Sequence, residues 1–487
     1  MDEYMNEFTP DEEIIAERPA ANATQRPRTG RRRRTKQEIF KEKTLPVLIV
    51  LIAGIFIITF IVGSVVRAVQ KNKVEKEASI AASESVAAEE ARLKAEVESI
   101  MTEAEKLAAC YDYDGAIAQI DSFSGNIGAY PQLQDAKVRY EYDKSTLIPW
   151  EDHNAIINLS FQLLVADPER AYADVDYGNS LENNFITVSE FQKILERLYA
   201  NDYILVSPRE FIETTNESGI ASYKYKELLL PEGKKPIVLT QTNVNYNQYL
   251  VDSDGDMLAD QGTCGIASKL VVQDDGSIAC ELIDAAGNVS TGAYDLVPIL
   301  DAFVEEHPDF SYRGAKAVLA LTGYNGLFGY RTQAEARARF GEEEYQKNVA
   351  TIQKIADTLK KTGYELACYT YDNAPYGVLS LSEIQADMNL WNDEVVPILG
   401  AMDIMVFAQG SDINSGILYS GDKYDYLKSL GFYYFLGFCA EGDPFTFIAE
   451  EYVRQGRLLV TGENLIHNSE WFNGIFDTED LLDQARS

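Results

Sequence analysis

An uncharged apolar stretch near the start of the chain limits what this sequence can fold into more than any other feature. Leu45–Val66 runs for 22 residues without a charged side chain. A helix of that length, at about 1.5 Å per residue, crosses the roughly 30 Å hydrocarbon core of a bilayer. Forty-four residues precede the stretch, and no small-residue cleavage site is evident. We therefore predict a transmembrane helix over residues 45–66 that acts as a signal-anchor and is not removed.

Charge differs on the two sides of this stretch. Residues 1–44 are polar and contain the basic run Arg31–Arg34, which predicts a disordered tail that stays in the cytoplasm. The whole chain carries a net charge of −34, and nearly all of the excess lies after residue 44. That acidity argues against nucleic acid as a partner, because phosphate binding requires clustered Lys and Arg. We expect the C-terminal part to be extracytoplasmic and the protein to reside in the cell membrane.

Residues 67–147 predict a helical stalk. Apolar side chains repeat at heptad spacing within Val74–Ala109, at Val86, Leu93, Val97, Ile100, Ala104 and Leu107. This seam fits a helix that packs on its own neighbours, which we favour, and also a short parallel coiled coil that forms a dimer.

Two further helices, Asp114–Phe123 and Pro131–Thr146, resemble a tetratricopeptide-type pair. A single pair cannot bury its own apolar face, so we expect it to pack on the stalk or on the next domain. Peptide binding is the alternative.

Residues 148–487 alternate between apolar strands and amphipathic helices, which predicts an α/β fold with a complete or incomplete (β/α) barrel of seven or eight units. The apolar runs without strict alternation are typical of strands buried on both faces. The eight predicted strands are Ile156–Leu164, Tyr203–Ser207, Ile237–Thr240, Ala317–Leu321, Glu365–Tyr371, Ile404–Ala408, Phe432–Gly437 and Arg457–Thr461.

Helical periodicity lies between these strands, over Thr187–Ala200, Val297–Glu306, Glu342–Thr362, Leu381–Leu399 and Lys423–Leu430. Short β runs with Asp-Gly and Gly-Asn turns predict a β-hairpin or meander insertion at about 264–292.

Cysteine and histidine are scarce. The five cysteines form no C-x-x-C pair, which gives a zinc cluster no support. A Cys264–Cys280 disulfide is conceivable, but free buried thiols are favoured in so Cys-poor a chain.

The stretch Lys235–Tyr246, KPIVLTQTNVNY, carries the strongest functional signal. An apolar run ends in polar residues, at the strand end where barrel enzymes place their active sites. The stretch resembles the first motif of the polysaccharide deacetylase (NodB homology) family, T/S-F-D-D. Thr240 matches, but Thr242 stands at the position of the family's catalytic base and Asn243 at that of its first metal ligand.

The resemblance extends over Ile148–Ser487, and it implies a deformed (β/α) barrel of the polysaccharide deacetylase type, preceded here by the transmembrane helix and the α-helical stalk. Tyr312–Arg331 is similar to a subset of membrane-anchored bacterial members. The family's second motif, S-H-T-x-x-H, supplies two histidine ligands, and here those positions hold Tyr369 and Asn373. The third motif is identified as Val406–Gly410, with Ala at its usual Pro position.

These replacements bear directly on the chemistry. The family uses Zn²⁺ or another divalent ion, which needs about three carboxylate, imidazole or thiolate ligands. Asn243, Tyr369 and Asn373 are neutral, and Thr242 cannot accept a proton near neutral pH. We therefore expect no metal, no cofactor and little or no deacetylase activity by the family mechanism, which would make the protein a pseudoenzyme.

A rebuilt catalytic site is the alternative, and its weak candidates are Asp372, Asp412 and Cys368. His467 would reach the barrel mouth only if it were not a surface residue. Asp252–Asp256, with Asp260, resembles a calcium loop, but the sixth and twelfth positions of that pattern do not match. An acidic turn is the favoured interpretation there.

The altered cleft has a composition that suits a sugar, because aromatic faces and neutral amides can stack on it and hydrogen-bond to it. The predicted cleft residues are Thr242, Asn243, Tyr246, Tyr369, Tyr371 and Asn373. An equally weighted interpretation is that they fill a retired pocket.

Three functions follow from these features. The favoured one is a membrane-anchored, extracytoplasmic, deacetylase-like protein that binds cell-wall glycan or acts as a scaffold. The first alternative is an active, divergent carbohydrate (peptidoglycan) deacetylase or hydrolase of carbon–nitrogen bonds. The second is a helix-mediated envelope assembly protein.

Metal content separates the first two functions. Because the ligand positions are neutral, we expect the purified ectodomain to retain no stoichiometric metal after dialysis against zinc, as measured by elemental analysis. One tightly held zinc per chain would contradict this prediction and favour a rebuilt catalytic site.

Overall fold

The computed structural model describes residues 36–217, 220–252, 254–259, 264–414, 416, 418–439 and 442–486. The chain forms two compact units, residues 1–91 and 92–487, and one helix, Lys36–Ala109, contributes to both. The tail expected over residues 1–44 is corrected in part, because residues 36–44 are helical. Helix propagation from the apolar segment costs little in these residues, which are mostly good helix formers. Residues 1–35, with the basic run Arg31–Arg34, lie outside the described residues.

The first unit contains the apolar stretch. The helix from Val47 onward is long and apolar enough to cross a membrane, with a mean hydropathy of 2.9 in its best window. The side chains of that window are exposed, including Leu51, Ile58 and Phe60. By length and composition, this helix could therefore serve as a membrane anchor.

The second unit begins with a three-helix cluster. The end of the long helix packs against the helices Tyr113–Asp121 and Pro131–Ser145, which a short 3₁₀ turn, Ile127–Ala129, connects. Their shared core includes Val97, Ile100 and Ala104 from the heptad seam, together with Ala116, Ile120, Phe123, Leu133, Ala136 and Tyr140. These seam residues are therefore buried by helices of the same chain.

Arg313 links the three-helix cluster to the barrel. Its Nη2 atom lies 3.0 Å from Oδ1 of Asp112, and its backbone N–H donates to the Cys110 carbonyl at 2.7 Å. The helix pair thus contacts both the long helix and the following domain.

Eight strands lie at the predicted places, and we label them β1 to β8. Their bounds are Ile157–Phe161 (β1), Tyr203–Leu205 (β2), Lys235–Gln241 (β3), Ala317–Leu321 (β4), Glu365–Cys368 (β5), Ile404–Val406 (β6), Tyr434–Phe438 (β7) and Val453–Leu459 (β8). All are parallel, and seven of them form a closed barrel in the order β1-β3-β4-β5-β6-β7-β8. This confirms the prediction of an α/β fold with a barrel of parallel strands.

Strand β2 lies outside the ring. It pairs with the first half of β3, through Lys235 to Ile237, whereas β4 pairs with the second half, through Leu239 to Gln241. Both neighbours use the same edge of β3, since β1 occupies the other edge. The barrel therefore closes with seven strands, which agrees with the seven or eight units expected from the sequence, and β2 is the predicted strand that the ring leaves out.

Helices cover the outside of the barrel. The predicted ones run over Val188–Ala200, Leu296–Glu306, Glu342–Lys361, Leu381–Leu390 continued by the turns Trp391–Val395 and Val396–Leu399, and Asp422–Ser429. Shorter helices are Pro168–Tyr172, Gly178–Asn184, Pro208–Phe211, Gln248–Val251, Ala334–Phe340 and Gly462–His467. Isolated 3₁₀ turns are His153–Ala155, Pro308–Phe310, Tyr312–Gly314, Ala408–Gly410 and Ser469–Phe472.

Small antiparallel elements complete the fold. The meander insertion has the strands Lys269–Val272, Ile278–Ile283 and Val289–Gly292. A hairpin of Ile212–Glu217 and Ile220–Tyr225 was not predicted, although its alternating Thr, Ser and Tyr residues are a strand signal. The remaining strands pair Ile148–Pro149 with Leu229–Leu230, and Thr446–Ile448 with β8.

A buried ion pair fastens the C-terminal segment to the helix Val188–Ala200. Nε of Arg486 lies 2.5 Å from Oε1 of Glu190, and the two side chains are 3% and 0% exposed. Glu190 also forms a capping box with Thr187, whose backbone N–H donates to Oε2 at 2.8 Å. A single carboxylate thus holds both a helix start and the end of the described chain.

Breaking this pair should destabilise the barrel strongly. We expect Arg486→Met to lower the free energy of unfolding by about 3–5 kcal/mol, because it leaves the Glu190 carboxylate buried without its counter-charge. Chemical denaturation would measure the change. Arg337→Met is the matched control, since Arg337 and Glu342 form an exposed pair and should matter little. Equal effects of the two changes would contradict the prediction.

Candidate functional site

A polar layer crosses the lumen of the barrel below its mouth. Oγ1 of Thr240 donates to Oδ1 of Asn158 at 2.8 Å, and Nδ2 of Asn158 donates to Oε1 of Gln455 at 2.9 Å. These three side chains, from β3, β1 and β8, are buried. Thr240, the residue that matches the first family motif, is therefore part of a hydrogen-bonded layer across the lumen.

Thr242 and Asn243 lie just after β3, at the C-terminal end of the barrel. Both donate to Oε1 of Gln162, Thr242 through Oγ1 at 3.1 Å and Asn243 through Nδ2 at 2.8 Å. Gln162 follows β1, the neighbouring strand, and the sequence analysis did not single it out. One amide oxygen, Oε1 of Gln162, therefore connects Thr242 and Asn243. These two residues stand at the positions of the catalytic base and the first metal ligand in the resembled family.

Tyr369 and Asn373 follow β5 and are joined through the third motif. The backbone N–H of Gln409 donates to the Tyr369 hydroxyl at 3.3 Å, and Nε2 of Gln409 donates to the Asn373 carbonyl at 3.1 Å. Tyr369 is only 3% exposed and packs among the apolar lumen residues. Its ring therefore closes the mouth instead of presenting an open face.

The other two predicted cleft tyrosines lie outside the lumen. Tyr246 is fully buried, and its hydroxyl donates to Oδ2 of Asp295 at 2.8 Å. Tyr371 donates to Oε2 of Glu394 at 2.6 Å. Both rings belong to the core between the barrel and its helices. The structure does not bring them together with Asn243 and Tyr369 at the mouth.

Asp387 organises the loop after β5. Its carboxylate accepts the backbone N–H groups of Tyr371 and Asp372 at 2.8 and 2.9 Å, and the Tyr376 hydroxyl at 2.6 Å. Sequence analysis did not identify this residue. The available signal was a lone acidic residue on the otherwise apolar face of the helix Leu381–Leu390, beside Ile384 and Met388.

The candidates for a rebuilt catalytic site have separate environments. Oδ2 of Asp412 lies 2.8 Å from Nη2 of Arg454, and Asp412 also accepts the Tyr419 hydroxyl at 2.8 Å. Cys368 is fully buried, and burial raises the pKa of its thiol well above the ordinary value. Burial also raises the pKa of Asp372, with a contribution from the nearby Asp387.

The surroundings of His467 and of the cysteines are also defined. His467 is exposed at the end of the helix Gly462–His467. All five cysteines are free, and Cys264 and Cys280 are buried thiols, as the sequence analysis favoured.

Three oxygen atoms at the ends of β3, β4 and β5 accept no hydrogen bond. They are Oδ1 of Asn243, Oγ1 of Thr322 and Oδ1 of Asn373, and all are buried. Such an unsatisfied group costs about 1–3 kcal/mol. Two of the three belong to positions that hold metal ligands in the resembled family. Neutral amide oxygens and the Tyr369 phenol do not fit a catalytic zinc ion.

In the acidic loop that resembles a calcium site, carboxylate groups accept hydrogen bonds from the backbone of the same loop. Ligand oxygens of Asp252, Asp254 and Asp256 lie within 4.8 Å of one another. Asp252 accepts the backbone N–H groups of Gly255 at 2.7 Å and Met257 at 2.8 Å. Asp260 lies outside the described residues. These hydrogen bonds are those of an acidic turn, which is the interpretation that the sequence favours.

A cavity of about 710 Å³ opens on the rim of the barrel, beside the meander insertion. Its lining includes Lys269, Tyr330, Phe340, Glu344, Lys347 and Asn348. None of the predicted cleft residues lines it.

No protein-family model matches this chain, and no curated protein matches it. Among solved structures, the chain is similar to a Streptococcus pyogenes deacetylase, PplD, in complex with acetate. The TM-score is 0.33 and the sequence identity is 12%, with 66% of this chain and 98% of that chain covered.

The buried carboxyl group of Asp295, which accepts the Tyr246 hydroxyl, should make the stability of the fold depend on pH. Burial raises the pKa of Asp295, which also accepts Leu164 N–H at 3.0 Å and Gln241 Nε2 at 2.6 Å. A carboxyl group whose pKa is higher in the folded state contributes stability below its unfolded pKa and loses it as pH rises. Asp295→Asn should therefore gain stability relative to the unchanged chain as pH rises above the ordinary aspartate pKa of about 4.

Chemical denaturation across that pH range would measure the difference. Asp301→Asn is a matched control on the same helix, because its carboxylate is only partly buried. A difference between Asp295→Asn and the unchanged chain that stays constant with pH would contradict the prediction.

Proposed function

We propose that this chain is a membrane-anchored, extracytoplasmic protein with a deacetylase-like barrel that binds cell-wall glycan without hydrolysing it. The anchor is the apolar segment 45–66, and the basic residues before it favour a cytoplasmic N-terminus. The barrel then acts as a binding or scaffolding domain on the outer side of the membrane.

The chemistry of the strand ends supports a role without metal-dependent catalysis. Activating a water molecule requires ligands that hold a divalent ion and a base that accepts a proton. Thr242, Asn243, Tyr369 and Asn373 supply neither, and Thr242 and Asn243 are engaged with Gln162. The hydrolytic alternative is not favoured, because Asp412 is ion-paired and Cys368 is fully buried.

The unsatisfied acceptors carry the proposal of glycan binding. Buried polar atoms normally have hydrogen-bond partners, so Oδ1 of Asn243 and Oδ1 of Asn373 call for donors from outside the protein. Sugar hydroxyl and acetamido N–H groups are neutral donors of that kind. Because Tyr369 and its neighbours close the mouth in this structure, binding requires a small opening of the loops after β3 and β5.

Binding and hydrolysis can be tested together with a chito-oligosaccharide. We expect saturable binding by the full chain in detergent, measured by saturation-transfer NMR, and no release of acetate with or without added zinc. Asn373→Gly should weaken binding about three- to tenfold, because it removes one hydrogen bond worth about 0.5–1.5 kcal/mol. Glycine tolerates the positive φ of 49° found at this position.

Asn184→Gly provides the control, since Asn184 is an exposed helical residue far from the strand ends in sequence. Zinc-dependent release of acetate would overturn the proposal in favour of a deacetylase. Equal loss of binding in the two variants would assign the effect to stability and remove the support from Asn373.

A further inference from the structure

Arg457 is a guanidinium group buried inside the barrel. It lies on β8 and is 1% exposed. Nη1 donates to Oγ of Ser160 at 2.7 Å, and Nη2 donates to the Phe407 carbonyl at 3.2 Å. Ser160 belongs to β1 and Phe407 follows β6, so the side chain reaches across the upper lumen.

No carboxylate balances this charge among the residues that the structure describes. The Nε atom of Arg457 is buried and donates to no acceptor. The ionisable groups acting on Arg457 are the Tyr369 phenol and the Cys439 thiol. Burial lowers the pKa of Arg457 to about 10, which leaves the group cationic at neutral pH.

A second buried arginine on the same strand has a carboxylate partner. Arg454 is also buried, with its side chain 7% exposed, and its Nη2 lies 2.8 Å from Oδ2 of Asp412. Buried charges in proteins are normally paired in this way, because removing an ion from water is costly. Arg457 therefore lacks the counter-ion that Arg454 has.

The ring of Phe438 covers the guanidinium. Cζ of Arg457 lies 4.7 Å from the ring centroid, a cation–π contact that compensates for part of the lost hydration. Gly410, with φ of 66°, makes room for this ring, since a Cβ there would lie 1.9 Å from Phe438. Phe438 is partly exposed at the C-terminal end of β7. A swing of its ring would open Arg457 to the mouth.

We propose that Arg457 is the anion anchor of the barrel mouth, and that the ligand is a sugar bearing a carboxylate group. The inference rests on the proposed function in one respect, since it assumes that the glycan enters this mouth. The Oδ1 atoms of Asn243 and Asn373 would accept hydrogen bonds from sugar hydroxyl groups, while the free Nε–H of Arg457 would donate a hydrogen bond to the carboxylate.

Two sugars that differ in one group test the proposal. D-glucuronate carries a carboxylate where D-glucose carries a hydroxymethyl group. With the full chain in detergent at constant ionic strength, we expect D-glucuronate to bind at least about tenfold more tightly than D-glucose. Arg457→Met should abolish this preference, and Arg457→Lys should retain part of it, because the charge stays but the planar fork is lost.

Thermal stability without ligand separates a binding role from a structural one. We expect Arg457→Met to keep or raise the melting temperature, because it removes an uncompensated buried charge. Arg454→Met is the matched control on the same strand, and it should lower the melting temperature by leaving Asp412 unpaired. A loss in Arg457→Met as large as that in Arg454→Met would overturn the inference.

The ligands also distinguish this inference from the proposed function. Binding of the chito-oligosaccharide without preference for D-glucuronate would overturn the anion anchor and leave the proposed function standing. A preference for D-glucuronate that survives Arg457→Met would likewise overturn the assignment to Arg457. If the chito-oligosaccharide does not bind but D-glucuronate is still preferred to D-glucose, only the proposed binding of neutral glycan would be overturned.

Discussion

One edge of β3 is divided between two neighbours, and the shape of the barrel depends on that division. Each residue has one backbone donor and one acceptor, so a stretch of edge pairs with one strand at a time. Because β2 ends at Leu205 and uses only residues 235–237 of β3, the second half of that edge is free for β4. The ring then closes with seven strands, and their C-terminal ends meet at one mouth. A longer β2 would displace β4 and open the ring.

Closure with so few strands leaves a narrow lumen, which side chains fill. Hydrogen bonds between Asn158, Thr240 and Gln455 satisfy one layer completely. The layer above it differs, since it contains unsatisfied acceptors and a guanidinium without a carboxylate. Polar groups in a folded core normally find partners, and four of the atoms that depart from that rule belong to Asn243, Thr322, Asn373 and Arg457, at or near the mouth of this barrel. That contrast between two adjacent layers is the physical basis for assigning a ligand to this end.

The strands and covering helices could be predicted from the sequence because their apolar periodicity is strong. Strand residues such as Ile237–Leu239 are buried on both faces of the sheet. An uninterrupted apolar run is the sequence pattern expected of a strand in that environment. The sequence allowed seven or eight barrel units and did not show that β2 is the strand outside the ring, because edge pairing depends on where neighbouring strands end. Helix propagation into residues 36–44 was likewise missed, since polar composition alone favoured disorder.

The candidate site was less predictable. Motif positions placed Asn243 and Tyr369 at the mouth, but spacing does not tell which way a loop turns, and Tyr246 points to Asp295 instead. Gln162, Asp387 and Arg457 have significance only through their partners. Arg454 and Arg457 lie three positions apart on β8, on opposite faces of the strand, and the carboxylate partner that Arg454 finds in Asp412 is distant in sequence. Partner identity is a property of tertiary structure, so it could not be read from periodicity.

The pairing of Glu190 with Arg486 has a consequence for the order of events during synthesis. The two residues are 296 positions apart, so Glu190 leaves the ribosome long before its partner is made. At about 5–20 residues per second, the interval is roughly 15–60 s. During that time the helix Val188–Ala200 cannot bury its carboxylate against the arginine. Formation of this buried ion pair is therefore a late event in folding, because it has to await the synthesis of Arg486.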